Sequence, residues 1–155
     1  MKKGFSLLVA IFTILLLSLV AAYIFYTSAT VNKVGTLQYQ KEQAMLLARS
    51  YTEYAVLAIQ GHDREATNNC VEEIKANIGD DPLNGLGYRV IVKINYIGNE
   101  KYVKNCSNTI VSLDNNSEDT FMAIIDVYVQ YKNLLHPNKA SALWITYHKR
   151  SLQKI

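Results

Sequence analysis

Met1-Lys2-Lys3-Gly4-Phe5-Ser6-Leu7-Leu8-Val9-Ala10-Ile11-Phe12-Thr13-Ile14-Leu15-Leu16-Leu17-Ser18-Leu19-Val20-Ala21-Ala22-Tyr23-Ile24-Phe25-Tyr26 opens the chain, and no charged residue occurs from Phe5 through Asn32. About 20 apolar residues cross a bilayer as a helix, because each adds roughly 1.5 Å against a hydrocarbon core of about 30 Å. The hydroxyls of Thr13 and Ser18 lie inside the run, where each can bond a carbonyl one turn earlier and escape being stranded in lipid. Tyr23 and Tyr26 close it with rings suited to the headgroup level. Lys2 and Lys3 hold the short end in the cytoplasm by the positive-inside rule, so everything after Tyr26 is predicted to face away from the cytosol.

The chain has 155 residues, 50% of them hydrophobic, with 16 Lys+Arg against 13 Asp+Glu. With the apolar run set aside, roughly 120 residues remain, enough for one compact domain and too few for a multi-domain enzyme. Eleven tyrosines, two prolines and no low-complexity run argue against disorder. The net charge of +3 falls to +1 without Lys2 and Lys3. The other cations are scattered, with no run of five, so the usual footprint of a nucleic-acid binder is missing.

Three fates of the N-terminus compete. The two lysines and the apolar run suffice for an uncleaved signal anchor. Val20-Ala21-Ala22 offers small residues for secretory cleavage after Ala22, although the run continues through Tyr23-Ile24-Phe25-Tyr26. The third turns on Gly4, a small residue placed before the apolar stretch. Lys2-Lys3-Gly4-Phe5-Ser6-Leu7 resembles the class III leader of type IV pilins and type II secretion pseudopilins. The resemblance implies cleavage between Gly4 and Phe5 by a prepilin peptidase, N-methylation of Phe5, and Ser6 at the second mature position. It departs from the family at the fifth mature position, where a Glu is usual and Val9 stands.

Beyond the membrane, Val34, Leu37, Ala44, Leu47, Ala48, Tyr51, Tyr54, Ala55 and Ala58 recur at three- and four-residue spacing without an intervening proline. This predicts one helix over 5–60, with its membrane part at about 5–26, Gly35 as a candidate bend, and Gly61-His62-Asp63 ending it. A second helix is predicted over 69–78, with Thr67 or Asn68 as cap and Val71, Ile74 and Ile78 on one face. Gly79 through Gly87 reads as turn. Alternation then predicts strands at Tyr88–Tyr96, Phe121–Tyr131 and Leu143–Tyr147, with a short edge strand at Thr109–Leu113. Short links imply an antiparallel sheet, covered on its apolar face by the long helix. The expected class is α+β: leader 1–4, long helix 5–60, globular domain 61–155, in the order of the pilin fold.

Cys70 and Cys106 can bridge if the domain lies outside the cytoplasm; two free thiols are the alternative. No Cys-x-x-Cys, His-Glu-x-x-His, Gly-x-Ser-x-Gly, phosphate loop or dinucleotide fingerprint occurs. No catalytic residues and no cofactor are assigned. His62, His136 and His148 read as surface residues. Asp114, Asn116 and Glu118 concentrate oxygen ligands in one loop, a weak calcium candidate beside the plain reading of a hairpin loop.

The resemblance implies a structural subunit of the bacterial inner membrane. It would be single-pass, with a cytoplasmic N-terminus and a periplasmic domain, able to enter a type IV pilus-like or type II secretion-like filament. Its partners would be other pilin or pseudopilin subunits, the prepilin peptidase, the inner-membrane assembly platform and membrane lipid. Nucleic acid would enter only through a DNA-uptake filament. The family's Glu meets the terminal amine of a neighbouring subunit, and the family member capping the pseudopilus also lacks it. Val9 therefore points to a minor, priming or capping subunit. The alternative is a single-pass anchored periplasmic binding domain that never polymerises.

Overall fold

A computed structural model describes residues 2–113 and 121–155, with side chains described from Leu7 onward. The chain divides into two compact units, Met1–Gln38 and Tyr39–Ile155. Helix α1 spans Lys2–Gly61, without a break at Gly35 and ending at the predicted glycine.

In the second unit α1 is followed by α2 (Arg64–Thr67), β1 (Glu73–Asp81), a 3₁₀ turn (Pro82–Asn84), β2 (Leu86–Asn99), α3 (Glu100–Val103), β3 (Thr109–Leu113), β4 (Phe121–Lys132) and β5 (Trp144–Lys154). The fold class is the expected α+β. Four strands form an antiparallel sheet in the order β1-β2-β4-β5. The predicted edge strand β3 is present, but it pairs parallel to β2, Tyr96 opposite Thr109 and Asn99 opposite Leu113. α3 and the turn after it carry the chain back along β2, so β3 starts in the same direction.

Alternate residues of the central strands are sealed under α1. Val90, Val92, Ile94, Ala123, Ile125, Val127 and Val129 are fully buried, together with Ala44, Ala48 and Ala55 of the helix. Gln40 and Thr52 lie on the same stripe of α1, which the apolar pattern alone omitted. Their polar atoms are satisfied: Thr52 Oγ1 donates to Ala48 O at 2.7 Å, and Gln40 Nε2 donates to Lys132 O at 2.9 Å. The predicted Val34 and Tyr54 are instead exposed.

The helix predicted over 69–78 is corrected to strand. Ile74, Ala76 and Ile78 pair with Val92, Val90 and Tyr88 on the buried side, while Glu73, Lys75 and Asn77 point the other way. Ile74 and Ile78 suit both periods, and hydrogen bonding to β2 selects the period of two. Thr67 ends α2, and Asn68 takes a left-handed conformation (φ 52°) after it, so neither caps a following helix. The β1–β2 hairpin closes on two glycines. A Cβ on Gly87 (φ 148°) would stand 2.1 Å from Ile78 O, and one on Gly79 (φ 94°) would stand 2.6 Å from Leu86 O.

Candidate functional site

Three features bear on function: the apolar part of α1, the cystine, and the sheet face turned away from α1. In the first unit, apolar side chains such as Leu7, Ile14, Leu17 and Phe25 are more than half exposed. α1 is long and apolar enough to cross a membrane, with none of its apolar window buried. Thr13 Oγ1 donates to Ala10 O at 2.9 Å and Ser18 Oγ to Leu15 O at 2.8 Å, so the backbone absorbs both hydroxyls within the run. Val9 is 42% exposed, an uncharged position on an uncharged surface. Gly4, Phe5 and Ser6 lie in the helix, and their side chains fall outside the described residues.

Cys70 and Cys106 form a disulfide, Cα–Cα 5.0 Å, across 36 residues of chain. It sits where β1 gives way to β3 along one edge of β2. Ile94 N donates to Glu72 O at 2.9 Å and Tyr96 N to Asn108 O at 2.8 Å, so the bridge fastens the two segments that share this edge. Tyr96 is fully buried beside it, stacked on Phe121, and its hydroxyl donates to Val71 O at 2.6 Å. Burial pushes the Tyr96 phenol up to about 12.

On the sheet face opposite α1, Asp126 is buried in the middle of β4. Arg150, its partner on β5, donates from Nε to Oδ1 at 2.7 Å and from Nη2 to Oδ2 at 2.9 Å. His148 Nε2 lies 2.7 Å from the same Oδ1, and its ring stacks on Tyr128 at 4.5 Å. The Arg150 hydrogen bonds lead in holding the Asp126 carboxyl below the usual range, against desolvation and with help from His148. This cluster escaped the sequence reading, which took His148 for a surface residue and did not single out Asp126. The available signal was the β4–β5 pairing that sets Asp126 opposite Arg150. Nearby, Trp144 carries the Arg89 guanidinium 4.9 Å from its ring centre and the Lys132 ammonium at 5.1 Å.

His62 is also tied in: its Nε2 lies 2.8 Å from Asn69 Oδ1 and 3.1 Å from Thr67 Oγ1, bracing the segment before β1. His136 Nδ1 contacts Asn138 O at 2.6 Å within its turn. The calcium candidates Asp114, Asn116 and Glu118 lie outside the described residues. Among the described residues, no group of three His, Cys, Asp or Glu side chains could hold a metal ion. Comparison with family models, with curated proteins and with solved structures returns no match.

Proposed function

We propose that the chain is a minor pilin-like subunit, held in the inner membrane by α1 and passed from there into the core of a filament as a priming or capping member. The observation that carries this reading is the unburied apolar run of α1, preceded by Lys2-Lys3-Gly4-Phe5 and uncharged at Val9. In a filament core, lipid around the helix is replaced by equivalent apolar neighbours, so the transfer costs little. A lone carboxylate in such a core is costly unless a terminal amine meets it. A subunit with Val9 has no such partner to seek and gains no attraction of that kind. The Cys70–Cys106 bridge supports placement of the second unit on the oxidising side of the membrane.

Quantifying the subunit in sheared filaments tests this reading. The parent is expected at low stoichiometry, and Val9→Glu is expected to raise its incorporation while Val9→Ala leaves it unchanged. Abundance along the filament length, with equal entry of all three proteins, would contradict the minor-subunit reading.

A further inference from the structure

The face of the sheet turned away from α1 collects cations that look scattered along the chain. Strand register puts Lys75 on β1, Arg89 and Lys93 on β2, Lys132 on β4, and Arg150 and Lys154 on β5 on this one face. Glu73 and Asp126 oppose them on it by register, and Glu72 lines the same surface beside Glu73 and Lys93. Six cations against three carboxylates leave an excess of three, equal to the net charge of the whole chain. A run of basic residues is the wrong thing to seek on a strand, because side chains alternate between faces. Period-two placement across neighbouring strands builds a basic surface without any run.

Five of these charges are internally committed. Lys132 is buried, donating to Ala140 O at 2.5 Å, Lys75 pairs with Glu73 at 2.6 Å, and Arg150 holds Asp126 through two hydrogen bonds. Lys93 and Lys154 remain exposed, and Arg89 lies against the Trp144 ring. Along the β5 edge, the exposed His148 ring is backed by Tyr128 in a parallel stack. Cations beside an aromatic platform, on an open sheet, match the requirements of a chain that carries regular phosphates and free base faces.

We propose that this face binds single-stranded nucleic acid, with phosphates on Arg89, Lys93 and Lys154 and a base against the His148–Tyr128 stack. A single strand fits better than a duplex because the His148–Tyr128 stack offers a ring to an unpaired base, whose face a duplex keeps stacked inside. The proposal holds whether or not the subunit polymerises.

The full chain in phosphatidylcholine nanodiscs, titrated into a fluorescent oligo-dT 30-mer and read by anisotropy, tests it. Binding is expected, with log affinity falling linearly with log salt. Arg89→Gln with Lys93→Gln should weaken binding roughly tenfold and flatten the salt slope by about 1.4, since each single-strand phosphate contact contributes about 0.7. Lys41→Gln with Arg49→Gln removes the same charge from α1 and should leave binding unchanged. His148→Ala should weaken binding severalfold with no change of slope. Near-UV circular dichroism of each variant confirms that the fold is kept. Equal loss from the two double variants, no binding of oligo-dT, or equal affinity for a 30-mer duplex or for anionic lipid vesicles would overturn the proposal.

Discussion

At Asp126 a single carboxylate organises the open face of the sheet. It is buried, yet Arg150 supplies two charged donors and His148 Nε2 lies within hydrogen-bond distance, so its desolvation is offset by hydrogen bonds that strengthen once it is ionised. Its folded pKa lies below the ordinary value, so its contribution to stability is present above the unfolded pKa and is lost as pH falls through the folded one. Asp126→Asn should therefore lower the thermal midpoint at neutral pH, by the equivalent of about 1–2 kcal/mol given the solvent around Arg150. The gap between the melting curves of parent and variant should start to close as pH falls below the usual Asp value of about 3.9 and go on closing toward the lowered folded value; a gap that stays constant through the acid range would contradict the assignment. Tyr96→Phe removes the bond to Val71 O and should cost about 1 kcal/mol, read as a shift in the denaturant midpoint. Neither bond could be foreseen from Asp126 or Tyr96 alone, because each depends on a partner more than 20 residues away.

Among the elements, those with one dominant period were legible and those with two were not. α1 announced itself through its uncharged run and its alanine spacing, and β2 and β4 through β-branched and aromatic residues, with Ala123, at every second position. β1 was misread because Ile74 and Ile78 satisfy a helical face as well as a strand face, and only the neighbour β2 decides between them. β5 was read too short: its buried-side positions include Lys149, Ser151 and Gln153, which leave an edge strand little apolar alternation to display. The hairpin glycines give a test at this scale. Gly87→Ala places a Cβ against Ile78 O at positive φ and should destabilise the second unit by about 2–4 kcal/mol. A thermal midpoint within a degree or two of the parent would show that the hairpin closes another way.

For the whole molecule, the division of labour is between a unit whose long apolar run stays unburied and a unit that buries its own core. The second unit needs its staple. Closing a loop of 36 residues is worth about 4 kcal/mol in the chain-entropy account, so Cys70→Ser with Cys106→Ser should lower the thermal midpoint strongly, and thiol labelling of the parent should find no free cysteine. The pairing was open in the sequence, where two cysteines allow a bridge without requiring one, and the meeting of β1 and β3 beside β2 supplies the geometry. The Val9 position was legible only against the leader pattern around Gly4 and Phe5, because nothing in the second unit refers to it. The surface opposite α1 was illegible for the opposite reason, its cations being brought together by pairing across four strands.

The most direct test of the filament-subunit account is the intact mass of the protein extracted from membranes of cells with an active prepilin peptidase. The account predicts a chain beginning at Phe5 and heavier by one methyl group. A chain that still begins at Met1, or one that begins at Tyr23, would contradict it.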